Sequence, residues 1–140
     1  GIGHAPPGRN GWVIGVAPPE KGAISTQFLE LADCAIATSG DTWRFVVIDG
    51  VRYSHIVDPK TGIGLTDHSI VTVIAPDATT ADALASAVSV LGPEKGIALI
   101  EATDGTAAMI LRRPEGDTQT YRSKHWSDYR EAEPLKTDEH

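Results

Sequence analysis

The sequence has little of what nucleic-acid and anionic-membrane surfaces require. Among its 140 residues, 12 are Lys or Arg and 19 are Asp or Glu, which gives a formal net charge of −7. Phosphate backbones and anionic lipids are bound by clustered cations, and only Arg112 and Arg113 adjoin in this chain. The composition therefore argues against a general nucleic-acid or membrane surface.

Cysteine and long apolar runs are also scarce. Cys34 is the one cysteine, which excludes an internal disulfide, and its apolar run "CAIAT" predicts a buried small side chain. We find no apolar stretch near the roughly 18 to 20 residues that span a bilayer, and no signal peptide or lipidation motif. The chain starts at Gly1 rather than Met, so we expect a cut, with a targeting segment or an N-terminal lobe missing.

What is present fits a folded domain. The length and the 41% hydrophobic content are typical of one compact domain or of part of a larger one. No Gly-x-Gly-x-x-Gly, Walker, Cys-rich metal or Ser/His/Asp hydrolase signature occurs. The usual dinucleotide, P-loop and hydrolase motifs therefore do not explain the function.

Several runs predict strands. Residues 12–17 and 29–38 are apolar or β-forming, and "TWRFVVID" and "VRYSHIVD" predict a hairpin through Asp49-Gly50, a strong turn signal. Residues 69–75, "SIVTVIA", are mostly β-branched and uncharged, which predicts a central strand buried on both faces. A strand is also expected in "TAAMILRR".

One long helical pattern follows the central strand. Thr79 or Thr80 is the expected N-cap, and "ADALASAVSVL" runs to Gly92-Pro93, a stop signal. A second short helix is expected from Pro93 or Glu94. Residues 114–140 form a polar tail, for which we expect disorder.

The helix carries a narrow polar stripe. Asp82, Ser86 and Ser89 share one face because residues three or four apart lie above one another. A solvated face is the simpler explanation. However, residues 83–93 contain no charge, which favours a largely covered helix whose Asp82 and Ser86 face a polar site. A carboxylate and a hydroxyl one turn apart suit a hard cation such as Mg²⁺.

Two loop motifs remain ambiguous. In "HIVDPKTG", Asp58, Pro59 and Thr61 are ordinary turn residues, whereas His55 is either a half-buried histidine or a site residue. "TSGD" at Thr38 to Asp41 is most simply a turn, although its hydroxyl and carboxyl groups and backbone N–H groups also suit a phosphate or ribose contact.

In their order, "TSGD", "YSHIVDPKTG" and "SIVTVIAPDATTADALASAVSVLGPEKGIALIE" resemble the C-terminal half of the ApbE-type flavin transferase family. The resemblance covers about residues 12–111. It implies an α+β fold, with a mainly antiparallel sheet, a hairpin and one or two helices packed on it. It assigns residues 1–113 to the C-terminal part of an ApbE-like domain and leaves residues 114–140 as the tail.

The resemblance also implies an activity: Mg²⁺-dependent cleavage of FAD, with transfer of FMN to a Thr of an acceptor flavoprotein and release of AMP. Some relatives instead hydrolyse FAD to FMN and AMP. The family's N-terminal half, which supplies most flavin-ring contacts, is not in this chain, so a non-catalytic nucleotide-binding fragment is a further alternative. A periplasmic or cell-envelope location is implied by the family alone.

The site residues follow from the matching positions. His55 matches the family histidine at the flavin nucleotide and is the expected catalytic residue. Asp82 and Ser86 match the metal-binding Asp and Thr, with Ser86 retaining the hydroxyl. The expected nucleotide contacts are His55, Thr38, Ser39, Asp58 and Thr61, although Asp58 is better explained as a residue that holds the loop.

Overall fold

A computed structural model describes residues 1–16, 18, 25, 27–40, 44–113 and 117–134. The chain forms eight strands, one long helix and a short 3-10 helix in this part of the sequence. In chain order the elements are β1 (Trp12–Gly15), β2 (Phe28–Leu31), β3 (Ala35–Gly40), β4 (Phe45–Ile48), β5 (Val51–Ser54), β6 (Ser69–Ala75), α1 (Ala78–Glu101), β7 (Ala107–Arg112), β8 (Gln119–Arg122) and the 3-10 helix (Lys124–Asp128).

The strands form three antiparallel sheets. The largest has four strands in the order β3-β6-β7-β8, and β1-β2 and β4-β5 form two-stranded sheets. The α+β fold with a mainly antiparallel sheet and a hairpin is therefore confirmed. The hairpin turns at Asp49 and Gly50, which both have positive φ, 50° and 78°, as the twist of a two-residue turn requires.

Strand β6 is the centre of the fold. It pairs with β3 on one edge and β7 on the other, and its residues from Ile70 to Ala75 are all buried. Because side chains alternate along a strand, Val71 and Val73 face α1, whereas Ile74 faces the layer that contains β2. The predicted central strand, buried on both faces, is confirmed.

Helix α1 covers one face of this sheet. Ala85, Val88 and Ile100 pack against a cluster of β6 and β7 side chains. Nearer the start of the helix, Ala81 packs against Ala35 and Ala75. Alanines at these contacts bring the helix backbone close to the sheet, because they leave little side chain between the two layers.

The opposite face is covered by β2 and by the 3-10 helix. Leu29, Leu31, Met109 and Trp126 belong to one buried cluster. Strand β8 pairs with β7, and Trp126 is 3% exposed. Disorder of the tail was therefore a wrong prediction for residues 119–128: β8 is an edge strand whose polar side chains face solvent, so its sequence does not look like that of a core strand.

The single strand expected over residues 29–38 is two strands. Asp33 has a φ of 51°, which breaks the extended run between Leu31 and Ala35. As a result β2 pairs with β1 and β3 pairs with β6, in different sheets. An apolar pattern that continues across the break does not reveal this change of sheet.

The helix begins and breaks at specific residues. The N-cap is Asp77, whose Oδ1 accepts a hydrogen bond from the Thr80 N–H at 2.9 Å, so neither Thr79 nor Thr80 is the cap as predicted. Gly92, with φ 76° and ψ 178°, interrupts the helical conformation directly before Pro93. The expected stop and restart at Gly92-Pro93 is confirmed.

By length and composition α1 could cross a membrane, since an 18-residue window within its 24 residues has a mean hydropathy of 1.4. The expectation that no apolar stretch reaches this length was wrong, because alanines raise the hydropathy of a helix without a continuous run of large apolar residues. In this fold Ala85 and Val88 of the helix pack on the sheet. A core helix passes the same test.

Replacing Ile110 by Ala tests the core between β7 and α1. Ile110 is 2% exposed, so Ile110→Ala is expected to lower the free energy of unfolding by about 2–5 kcal/mol, measured by urea denaturation. Ile63→Ala removes the same atoms from a side chain that is 55% exposed and is expected to change it by less than about 0.5 kcal/mol. Equal effects would contradict this assignment of the core.

Replacing Asp77 by Ala tests the helix cap. Hydrogen bonds from the Thr80 backbone N–H, and next from its hydroxyl, hold the pKa of Asp77 below its ordinary value. The cap therefore stabilises the fold above the unfolded-state pKa of about 3.9, and this contribution is lost as the pH falls through the lower folded-state pKa. Urea denaturation should show Asp77→Ala less stable than the parent at neutral pH, with the two converging in acid. A pH-independent difference would show that the carboxylate is not the cap.

Candidate functional site

The loop after β5 is closed by backbone hydrogen bonds. The Ser54 N–H donates to the Leu65 carbonyl at 2.7 Å, and the Leu65 N–H donates to the Ile56 carbonyl at 2.8 Å. Val57 and Gly64 form an isolated antiparallel bridge. The loop is therefore a narrow, ordered projection rather than an open connection.

Asp58 and Thr61 maintain the tip of this loop. The Asp58 carboxylate accepts from the Lys60 N–H at 2.8 Å, and the Thr61 hydroxyl accepts from the Ile63 N–H at 3.2 Å. The Gly62 N–H donates to the Asp58 carbonyl at 2.8 Å. This is the turn chemistry that the sequence indicated. Contact of Asp58 or Thr61 with a nucleotide stays a prediction.

His55 is exposed and its ring is oriented by the backbone. Its Nδ1 lies 3.1 Å from the Arg44 carbonyl oxygen, and its own N–H donates to the same oxygen at 3.2 Å. A carbonyl oxygen only accepts, so Nδ1 is the protonated nitrogen in this hydrogen bond. In the neutral ring, Nε2 is then the acceptor nitrogen.

Asp82 and Ser86 both lie on the exposed side of α1. They are one turn apart, so their side chains project from the same face of the helix. Ser89 does not continue this stripe: it is buried, and its hydroxyl donates to the Ala85 carbonyl at 2.9 Å. The expectation that Ser89 shares the polar face was wrong, because Ser89 lies one turn after Ala85, which packs on the sheet.

Thr38 and Ser39 lie in strand β3 rather than in a turn. Successive side chains of a strand point to opposite faces of the sheet. The side chains of Thr38 and Ser39 therefore lie on opposite faces and are not placed to contact the same ligand group. The Thr38 hydroxyl shares a hydrogen bond with the Thr72 hydroxyl at 3.1 Å. The tight turn expected at Ser39 to Asp41 was wrong for Ser39 and Gly40, which belong to β3, and Asp41 lies outside the described residues.

Apart from Thr38 and Ser39 in β3, the predicted residues form two groups. His55, Asp58 and Thr61 lie in the loop after β5, and Asp82 and Ser86 lie on the helix. Within the described ranges no hydrogen bond joins the groups, and no set of three or more His, Cys, Asp or Glu side chains is placed to hold a metal ion. Asp82 and Ser86 thus supply oxygen donors of the type that Mg²⁺ prefers, but not a complete set of ligands.

Two concave surfaces lie away from these residues. One, of about 800 Å³, is at the helix break and is lined by residues that include Leu91, Pro93 and Tyr121. Another, of about 350 Å³, lies beside β2 and is lined by residues that include Phe28 and Met109. His55, Asp82 and Ser86 line neither of these two surfaces.

One ion pair holds the segment that leads into β6, and the sequence did not predict it. The Arg112 Nε donates to the Asp67 carboxylate. Ser69 pairs with Arg112 in the β6–β7 register, which places Asp67 beside the end of β7. This contact could be found only with the strand register known, because the residues are 45 positions apart.

Fold and loops together define an α+β lobe in which one helix covers an antiparallel sheet and two polar groups lie open at the surface. The sequence profile of the ApbE family matches residues 1–110, which includes every predicted site residue. The chain belongs to the ApbE family.

Relatives of known name agree with this membership. The chain is 41% identical over 107 residues to the FAD:protein FMN transferase of Vibrio cholerae, and 42% identical over 102 residues to that of Treponema pallidum. These matches cover 75% and 71% of this chain but 32% and 28% of the relatives. The chain thus spans about a third of the length of these curated relatives.

Solved structures show the same fold. The ApbE protein of Thermotoga maritima matches 90% of this chain with a TM-score of 0.76 and 38% identity. The apo flavinyl transferase ApbE of Pseudomonas stutzeri matches 91% with a TM-score of 0.69 and 36% identity. This chain covers 40% and 39% of those chains.

Replacing Gly64 by Ala tests the loop that carries His55. A Cβ on Gly64 would overlap the Ser54 carbonyl oxygen, so the backbone must move. Gly64→Ala is expected to lower the free energy of unfolding by about 1–3 kcal/mol and to shift the imidazole NMR signals of His55. Gly3→Ala, where nothing lies within 4 Å, is the control. Unchanged His55 signals in Gly64→Ala would show that the loop closure does not position the ring.

Proposed function

We propose that this chain supplies the metal and pyrophosphate part of a site that transfers FMN from FAD to a threonine of an acceptor protein and releases AMP. The proposal is carried by one observation: the family match over residues 1–110 includes His55, Asp82 and Ser86, and all three are exposed. The named relatives are FAD:protein FMN transferases, which supports flavin transfer as the activity of the complete protein.

The chemistry requires a proton acceptor and charge stabilisation. In the transfer, the threonine oxygen forms a bond to the FMN phosphorus, the bond from that phosphorus to the bridging oxygen breaks, and AMP leaves. The threonine proton must be accepted during attack. His55 is suited to this role or to holding a phosphate oxygen, because its Nδ1 is engaged by the Arg44 carbonyl and Nε2 remains for the substrate.

Asp82 and Ser86 are the residues that would hold Mg²⁺. Their carboxylate and hydroxyl oxygens are hard donors, and both are exposed on one helix face. A bound Mg²⁺ neutralises charge on pyrophosphate oxygens. Since Mg²⁺ prefers six oxygen ligands and commonly takes several from waters and substrate phosphates, two protein ligands from this chain are consistent with a site completed by FAD and by the rest of the fold.

Four further residues are proposed to contact the nucleotide, in a secondary role to His55: Thr38, Ser39, Asp58 and Thr61. Asp58 and Thr61 already bond the loop backbone, so their first contribution is to hold the loop beside His55.

From the family resemblance alone, we also propose that the complete protein works in the periplasm or at the cell envelope.

The metal assignment is tested in a hybrid protein, in which this chain replaces the matching segment of the Vibrio cholerae relative. Asp82→Ala is expected to lower Mg²⁺-dependent AMP release from FAD on the order of 100-fold, because charge stabilisation of the pyrophosphate is lost. Ser86→Thr should keep activity and Ser86→Ala should reduce it. AMP release is measured by chromatography.

Asp104→Ala, a substitution of another exposed aspartate, is the matched control and should leave the rate unchanged. Full activity of Asp82→Ala would refute the metal assignment.

The same assay distinguishes transfer of FMN from hydrolysis of FAD when an acceptor peptide is added. AMP release without flavin on the acceptor peptide would indicate FAD hydrolysis instead of transfer. FAD binding without AMP release would indicate a nucleotide-binding protein.

A further inference from the structure

Two adjoining cavities form a groove on the face of the main sheet opposite α1. One, of about 350 Å³, lies beside β2, and the other, of about 270 Å³, lies beside the 3-10 helix. Gln27, Arg122 and Glu131 line both cavities, so the two are continuous. No residue predicted to bind metal or nucleotide lines either cavity. The groove is therefore separate from the candidate site.

The smaller cavity is lined by a buried tryptophan whose donor has no acceptor. Trp126 is 3% exposed, and its indole Nε1 has no hydrogen-bond partner in the part of the chain that the structure describes. An indole N–H can only donate, and a buried donor that stays unpaired destabilises a fold. The fold therefore lacks a hydrogen-bond acceptor at this position.

Two further donors line the same cavity without partners among the described residues: the Arg122 guanidinium and the Tyr129 hydroxyl. Burial raises the pKa of Tyr129, so the phenol keeps its proton at neutral pH and can donate. The Ser127 hydroxyl, in contrast, already donates to the Lys124 carbonyl at 3.1 Å. Together with Trp126, the two unpaired groups favour a ligand group that is rich in acceptors.

The larger cavity adds apolar surface at one end of the groove. Its lining includes the side chains of Val16, Phe28, Met109 and Leu111. Small-molecule sites commonly combine apolar walls of this kind with a few polar groups that fix the orientation of the ligand. The groove is therefore suited to a ligand with an apolar body and a polar head.

A carboxylate at the junction of the two cavities limits the charge of that head. The Glu131 Oε1 accepts a hydrogen bond from the Gln27 Nε2 at 2.8 Å, and Glu131 lines both cavities. Like charges placed close together are unfavourable. The Arg122 guanidinium can compensate one negative charge on a ligand, whereas a doubly charged phosphate would also be repelled by Glu131.

We propose that this groove binds a small amphipathic carboxylic acid, with its carboxylate between Arg122, Trp126 and Tyr129 and its apolar body against Phe28 and Met109. The occupant follows from charge complementarity, because a guanidinium and a carboxylate form strong, charge-assisted hydrogen bonds. The indole N–H is buried, so the carboxylate reaches it after a side-chain rotation at the cavity wall, a common change on binding. The exposed Arg122 can make this movement.

The experiment titrates octanoate into the hybrid protein described above, in the absence of FAD and Mg²⁺. The NMR signal of the Trp126 indole N–H, identified by its loss in Trp126→Phe, should shift and saturate with a Kd on the order of 1 mM. Octanol has the same apolar body without the carboxylate, and octyl phosphate carries a further charge at about pH 8. Both should bind at least about tenfold more weakly than octanoate.

Substitutions assign the head group to its donors. Arg122→Gln and Tyr129→Phe should each weaken octanoate binding on the order of tenfold, because each removes a hydrogen bond to a charged group. Arg9→Gln, at an exposed arginine that lines neither cavity, makes the same change of charge as Arg122→Gln and should leave the affinity unchanged. Arg122 is exposed, so its substitution leaves the core intact.

Three outcomes would overturn the proposal. Octanoate that leaves the Trp126 indole signal unmoved would show that the buried donor is not part of a carboxylate site. Equal binding of octanol would show that the groove selects apolar chains alone. Equal octanoate affinity in Arg122→Gln and Arg9→Gln would remove the ion pair from the site. Because neither FAD nor Mg²⁺ is present, these results do not depend on the proposed transfer reaction.

Discussion

The burial of β6 on both faces and both edges is the constraint on which the rest of the structure depends. Val71, Val73 and Ile74 have no exposed surface. The position of each neighbouring element is therefore determined by the part of β6 that it covers. Helix α1 covers one face, β2 and Trp126 cover the other, and β3 and β7 satisfy the backbone hydrogen bonds along the edges. A buried backbone group without a partner destabilises a fold, which leaves little freedom in this arrangement.

The candidate site lies outside this fixed core. Asp82 and Ser86 are on the exposed side of α1, which does not pack on the sheet. His55 is on the loop that follows the β4–β5 hairpin. The rigid helix fixes the spacing of its two oxygen donors, whereas the histidine depends on backbone hydrogen bonds in a narrow loop. Catalytic groups are commonly carried in this way, on loops positioned by a stable scaffold.

Several local signals in the sequence were read correctly, although the helix cap, the turn at "TSGD" and the break at Asp33 were not, and the contacts between distant residues were missed. Asp49-Gly50, the β-branched run of β6 and the Gly92-Pro93 break each act through the backbone preferences of neighbouring residues, so they predict the structure directly. The burial of Ser89, the pairing of β8 and the contact of Asp67 with Arg112 depend on partners distant in sequence. The metal and nucleotide roles came from family resemblance, because the turn and the helix each have an ordinary structural explanation.

The position of the hairpin in the chain has a consequence for folding. Strands β3 and β6 are neighbours in the sheet, with Gly40 opposite Ile70, and the hairpin with its loop makes up the connection between them. Hairpins form in microseconds from local contacts, so this segment can shorten the effective span that β3 and β6 must close. Since the closure entropy of a loop rises only slowly with its length, residues can be inserted at the hairpin tip with little effect on the sheet. The connection can therefore change during evolution while the core stays constant.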